Sequence, residues 1–350
     1  LTDALIREGK AVETAFVPGA THGWRREPPY DRYVFERLLE FFGRHLRPQD
    51  DGALAPEVLA ALTAAARSEP FQDDLDANTA RTGRALSKVQ AAFDVKHYKL
   101  ALKVIPEDYR IEGSLTLRFE ALDRLGAVEL DLDPDLEIFS AEAEGRELKV
   151  TRKGDRFTVD LTRRLKRGER GEVTIHYGGR PHVALAPPWH GGFVWSEVDG
   201  KPWFATAVQT EGCDLWWPCK DSFADKPDEG VAVSITAPDS IAVASIGRLV
   251  NVEDHDDGWK TWHWESRNPF TGYAVAINGG PYARIEASYD GINGESFPIE
   301  FWALEKNREK AEALVASDVL PDLEFFERTL GPYPWGDDKA GFVETPHLGM

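Results

Sequence analysis

Cysteine is almost missing from this chain. Only Cys213 and Cys219 occur in 350 residues, too few to build a structural zinc site by themselves. Their closeness in sequence permits a disulfide and leaves the compartment open. Methionine is scarcer still, with Met350 the single example. No internal Met start codon therefore separates the two halves of the chain, which read as one frame. Positive charge is outnumbered: 41 Lys and Arg stand against 60 Asp and Glu, for a net charge of −19. That excess argues against nucleic acid or an anionic membrane as the main partner. It fits a soluble enzyme that takes a cationic or amine-bearing ligand. No apolar run approaches the roughly 18 residues of a membrane-spanning helix. No signal peptide opens the sequence, which excludes nothing for a chain read as starting inside a longer one. What is present is globular: 42% hydrophobic and 11% aromatic, with length for two or three domains.

The hydrophobic period changes along the chain. Residues 11–17 read as a strand ended by Pro18-Gly19, followed by the loop Ala20–Trp24. Residues 31–46 read as a helix, with Asp31 as N-cap and Phe35, Leu38, Leu39, Phe42 and Leu46 on one face. Residues 49–88 are rich in Ala, Asp and Arg and read as a linker, with helix over Ala55–Arg67. The period then becomes two. Tyr98, Leu100, Leu102 and Val104 alternate with polar residues, as do Ile111, Leu115, Leu117 and Phe119. Further strands are expected around Val128–Leu132, Phe157–Leu161, Val173–Tyr177 and Val231–Ile235. Many short strands between turn signals indicate a largely antiparallel β domain. A strand at Ile299–Ala303 then precedes a helix over Lys306–Leu330. There Leu314, Leu323, Phe326 and Leu330 form the apolar stripe, Pro321 marks a kink and Gly331-Pro332 ends the helix.

Three clusters could carry chemistry. His22 lies on a loop between a strand and an amphipathic helix, where a neutral imidazole can act as the base of a Ser-His-Asp triad. For an isolated His in that setting, a surface loop residue is the plainer reading. The second cluster is Gln209-Thr210-Glu211-Gly212-Cys213-Asp214-Leu215-Trp216-Trp217-Pro218-Cys219-Lys220-Asp221. Two residues apart on a strand, Gln209 and Glu211 point to the same side. A carboxylate beside an amide suits a protonated amine, although spacing alone favours a solvated strand face. Trp216 and Trp217 read as core or interface aromatics. The third cluster, Gly331–Trp335 through Pro346–Met350, shows turns and nothing more. His182 and His190 read as loop histidines.

Two resemblances sharpen this. Val17–Trp24 with Phe41–Leu46 is similar to the C-terminal end of the prolyl oligopeptidase / dipeptidyl peptidase family, over about residues 1–47. It implies that His22 is a triad histidine whose serine and aspartate lie upstream of Leu1, since no G-x-S-x-G occurs in the chain. From about Asp94 to Met350 the chain resembles the aminopeptidase N family of zinc metallopeptidases. The match runs through His97–Leu100, Gln209–Asp221, Asn268-Pro269-Phe270, Gly331–Trp335 and Leu348-Gly349-Met350.

The second resemblance implies a mainly β chain: a curved antiparallel β-sheet saddle, preceded by the strand-loop-helix remnant of an α/β-hydrolase and followed by the start of a thermolysin-like α/β catalytic domain. The expected divisions are 1–48 for the hydrolase end, 49–88 for the linker, 89–285 for the saddle and 286–350 for a truncated catalytic domain. Gln209 and Glu211 match the Q-x-E positions that line the substrate N-terminus and first side-chain pocket. Gly349 and Met350 match the first half of a G-x-M-E-N-like motif. The implied partner is a peptide with a free N-terminus, and the implied cofactor is zinc in the complete parent. The H-E-x-x-H ligand motif and the catalytic tyrosine are missing from these 350 residues, so the chain is expected to be inactive alone. Two alternatives stand beside this: a non-catalytic saddle used as an interaction scaffold, and a parent acting chiefly as a serine peptidase.

Overall fold

The computed structural model describes residues 83–347, apart from 186, 188–190 and 210. His22, His190, Gly349, Met350 and the expected hydrolase remnant lie outside the described residues.

Alternating apolar residues build the first strands, and a bulge keeps them in phase. In β1 (Phe93–Ile105) the buried residues are Phe93 and Val95, then Tyr98, Leu100, Leu102 and Val104. The parity flips between Val95 and Tyr98. The pairing with β2 (Arg110–Ala121) slips at that point, from Val95↔Phe119 to His97↔Arg118, so Lys96 is the extra residue of a β-bulge. Without it, a period-two strand would turn one of its two apolar sets toward water.

The strands that follow are β3 (Leu125–Asp131), β4 (Leu136–Ala143), β5 (Arg146–Glu147), β6 (Val150–Lys153), β7 (Arg156–Leu165) and β8 (Arg170–Gly179). Next come β9 (Gly192–Val198), β10 (Lys201–Ala207), β11 (Val231–Pro238), β12 (Ala242–Ser245), β13 (Arg248–Asp254), β14 (Trp259–Ser266) and β15 (Ile277–Gly280). An eight-stranded sheet runs β13-β14-β11-β1-β2-β8-β4-β5, a four-stranded sheet β12-β15-β10-β9 and a three-stranded sheet β3-β7-β6. All pairings in these sheets are antiparallel except β1 with β11, which places Leu100 beside Val233 and Leu102 beside Ile235. One continuous core lies among them, and the sequence-expected alternating residues fill it. The fold is mainly β, as the period-two pattern implies.

A second, smaller core follows. It forms between the sheet of β16 (Tyr282–Asp290), β17 (Ser296–Leu304) and β18 (Ala340–Val343) and a helical stretch. That stretch is α1 (Arg308–Leu314), a π-helical turn (Val315–Val319) and α2 (Leu320–Leu330). The expected stripe is partly wrong. Ala311, Val315, Val319 and Glu327 are buried and Leu323 partly so, a strict i+4 series, while Phe326 and Leu330 face outward. An α-helix advances 3.6 residues per turn, so an i+4 series drifts around it. The wider π turn offsets that drift and keeps the series on one face. It ends two residues before Pro321, whose nitrogen has no hydrogen to donate to the preceding turn.

Candidate functional site

The Gln209–Asp221 cluster begins where β10 stops. Gln209 and Glu211 are not on a strand: β10 ends at Ala207, and the Gly212 N–H donates to the Val208 carbonyl at 2.9 Å to close a turn. The alternation argument for the pair therefore does not apply. Gln209 is half-buried, and Glu211 is fully buried; Thr210 lies outside the described residues.

Two glycines make room for this turn. A Cβ on Gly191 would lie 2.3 Å from Glu211 Oε2 and 2.4 Å from the Ala207 carbonyl oxygen, so the backbone at 191 is a wall directly against the carboxylate. Gly212 has φ +120°, and a Cβ there would lie 2.6 Å from Asp214 Oδ1. A side chain at either position would displace an acidic group. Nothing in the sequence marks Gly191 as facing residue 211, because the two meet only when β9 pairs with β10, with Gly192 opposite Ala207.

Beyond Gly212 the chain dives into the core. Cys213, Leu215, Trp216, Trp217 and Cys219 are all wholly buried, and Trp217 packs edge-on against Tyr98 at 4.9 Å. The two tryptophans are core residues. Cys213 and Cys219 form a disulfide. At the far end of the loop, Lys220 donates from its backbone N–H to the Tyr98 hydroxyl and from Nζ to the Phe93 carbonyl, and it pairs with Asp225.

A buried acidic group supports the loop, and sequence reasoning missed it. Asp131, at the end of β3, accepts hydrogen bonds from Gln90 Nε2 (2.7 Å), Arg156 Nε (3.0 Å), Arg84 (3.2 Å) and the Asp221 backbone N–H (3.2 Å). Asp131 also exchanges backbone hydrogen bonds with Cys219 in both directions. Burial raises the Asp131 pKa, against the pull of those donors. Burial likewise pushes Asp214 well above the usual carboxylate range, with Asp221 and Asp131 adding to it. In sequence the group is split between Asp131 at the end of β3 and the single acids Asp214 and Asp221 some 80–90 residues on, and no local signal joins them.

The likeness to known proteins centres on this β domain. The family profile of the Peptidase M1 N-terminal domain matches residues 94–274. The chain belongs to the M1 peptidase N-terminal domain family. Among solved structures, the chain is similar to an M1 zinc metallopeptidase from Deinococcus radiodurans at 23% identity and a TM-score of 0.62, with 74% of this chain and 57% of that one covered. It is also similar to a point mutant of the M1 enzyme from that organism bound to a Tyr-Ser-Ala substrate, at 23% identity and TM-score 0.62 over 75% and 58% of the two chains. A two-domain M1 zinc metallopeptidase mutant bound to L-tryptophan matches at 24% identity and TM-score 0.62 over 74% and 58%. These likenesses concern the fold of the M1 domain, and the chain spans somewhat under three-fifths of those proteins' length. A comparison with curated proteins returned no match.

The M1 family's zinc finds no ligand set among the described residues. Among the described residues no group of three or more His, Cys, Asp or Glu side chains could hold a metal ion, and the 350 residues contain no H-E-x-x-H. The described residues do not fit the metal, and no chemical step through it follows from them.

Proposed function

We propose that this chain supplies the amine-recognising side of an M1 zinc aminopeptidase, whose zinc ligands come from residues other than these 350. The observation that carries the reading is Glu211, a carboxylate wholly buried in the Val208–Gly212 turn and walled by the Gly191 backbone in an M1 N-terminal domain. A carboxylate held out of water attracts a cation more strongly than an exposed one, and the α-amine of a peptide is such a cation. Gln209, half-exposed on the same turn, would contact the first side chain through its amide. Gly349 would align the substrate backbone, with Met350 beside it. In the wider reading, residues 89–285 form the saddle, 286–350 begin a thermolysin-like domain, and His22 belongs to an upstream prolyl oligopeptidase-like unit.

In the zinc-bearing parent, Glu211→Gln should lower kcat/KM for peptides with a free N-terminus by roughly tenfold or more, the loss of a charge-assisted contact. An unchanged kcat/KM removes the assignment. The 350-residue chain alone, supplied with zinc, should not hydrolyse aminoacyl anilides. Turnover by it would overturn the placement of the zinc site. Full activity of a parent without its zinc ligands would likewise favour serine-peptidase chemistry, and a parent inert on all peptides would favour a scaffold.

A further inference from the structure

The Cys213–Cys219 disulfide sits between strand β3 and the turn that holds Glu211. Its Cys219 end is fixed to β3, because Cys219 and Asp131 exchange both backbone hydrogen bonds, at 2.7 and 3.1 Å. Its Cys213 end follows Gly212, the residue that closes the Val208–Gly212 turn. The bond therefore links the position of Asp131, in the β3-β7-β6 sheet, to a point two residues past Glu211, beyond the end of β10 in the β12-β15-β10-β9 sheet.

The sulfurs are also sealed. Both cysteines are 0% exposed, as are Trp216 and Trp217 between them. The Gly272 backbone passes so close that a Cβ there would lie 2.5 Å from Cys213 Sγ. A disulfide is reduced when a thiolate attacks one of its sulfurs in line, and this packing leaves no approach in the folded chain. Exchange must wait for opening of the core. The same packing restricts formation. Joining the two thiols releases two electrons and two protons. The electrons go to an external disulfide: one cysteine thiolate attacks it, forming a mixed disulfide and releasing one external thiol, and the other attacks the protein sulfur of that mixed disulfide and releases the second. That encounter has to precede burial of Cys213 and Cys219 in the core.

We propose that Cys213–Cys219 is a non-exchanging clamp, formed as the chain folds in an oxidising compartment, that fixes the turn carrying Glu211. The part concerning Glu211 rests on the amine-recognition reading above; the part concerning oxidation does not.

The first test uses the full 350-residue chain, folded with oxidised glutathione and then exposed to iodoacetamide without denaturant. Its intact mass should be that of the disulfide form with no carbamidomethyl groups. Millimolar dithiothreitol should reduce it only in urea, at a rate that follows unfolding. Two carbamidomethyl groups on the unreduced native chain, or fast reduction in native buffer, would overturn the clamp. The second test uses the zinc-bearing parent carrying C213A and C219A together. Its KM for a free-amine dipeptide amide should rise on the order of tenfold, with kcat within about twofold, as expected for a misplaced binding group. An unchanged KM in a folded double variant overturns the positioning role. A sealed disulfide together with a silent Glu211→Gln overturns the amine reading and leaves the oxidative half standing.

Discussion

In the β domain Trp216 and Trp217 are wholly buried, whereas in the helical segment after it Phe325 and Phe326 are 62% and 51% exposed. The carboxyls of the two regions differ as well, although all are buried. Burial pushes the Asp133 pKa up to about 6, against a backbone hydrogen bond from Asp135 at 2.8 Å. Burial raises Asp214 as well, with Asp221 and Asp131 as neighbours that add to it. In the second region burial acts the same way on Glu300, but Lys339, Arg284 at 2.7 Å and Trp302 Nε1 at 3.0 Å hold it below its usual range. Glu327 stays low against burial because it accepts backbone hydrogen bonds from Tyr333 at 2.7 Å and Ile292 at 2.9 Å. Burial is common to both regions; at Glu300 and Glu327 the donors and cations outweigh it, whereas at Asp131 burial wins despite four donors and at Asp214 neighbouring carboxylates add to it.

The largest effect expected from breaking this contrast is at Trp217. Trp217→Ala should cost about 3–5 kcal/mol in urea unfolding, because it empties a closed core beside Tyr98. Glu327→Ala should cost about 1–3 kcal/mol, since two backbone N–H groups lose their acceptor. A loss no larger than that of an exposed residue would show that those hydrogen bonds do not hold the segment.

The pH dependence sharpens the contrast further. A raised pKa in the folded state contributes stability that is lost as pH rises through it, and a lowered one contributes stability that is lost as pH falls through it. Going from about pH 7 to about pH 5 should therefore stabilise the chain through Asp133 and Asp214, and further acidification below about pH 4 should destabilise it through Glu300 and Glu327. Asp214→Asn should flatten the first rise in urea midpoint and leave the acid fall in place. The smallest effect belongs to the exposed helix face: Phe326→Ser should shift stability by no more than about 0.5 kcal/mol, and a larger loss would mean that the face is covered in solution.

The sequence by itself determined the β class, seven of the 18 strands among the described residues and the M1 family. Each rests on local pattern: alternation records which side of a strand is buried, and the Gln209–Asp221 run is contiguous. It did not show that Lys96 is a bulge, because only the partner strand reveals a residue without an opposite number. It misplaced Phe326 and Leu330, because a π turn changes the phase on which the stripe was counted. Nor did it reveal that Glu211 is walled by Gly191, or that Asp131 binds the loop through the Asp221 N–H, 90 residues away in sequence. Those facts belonged to the tertiary structure, because a carboxylate's burial, its donors and its pKa are set by whichever distant segments the sheets bring against it.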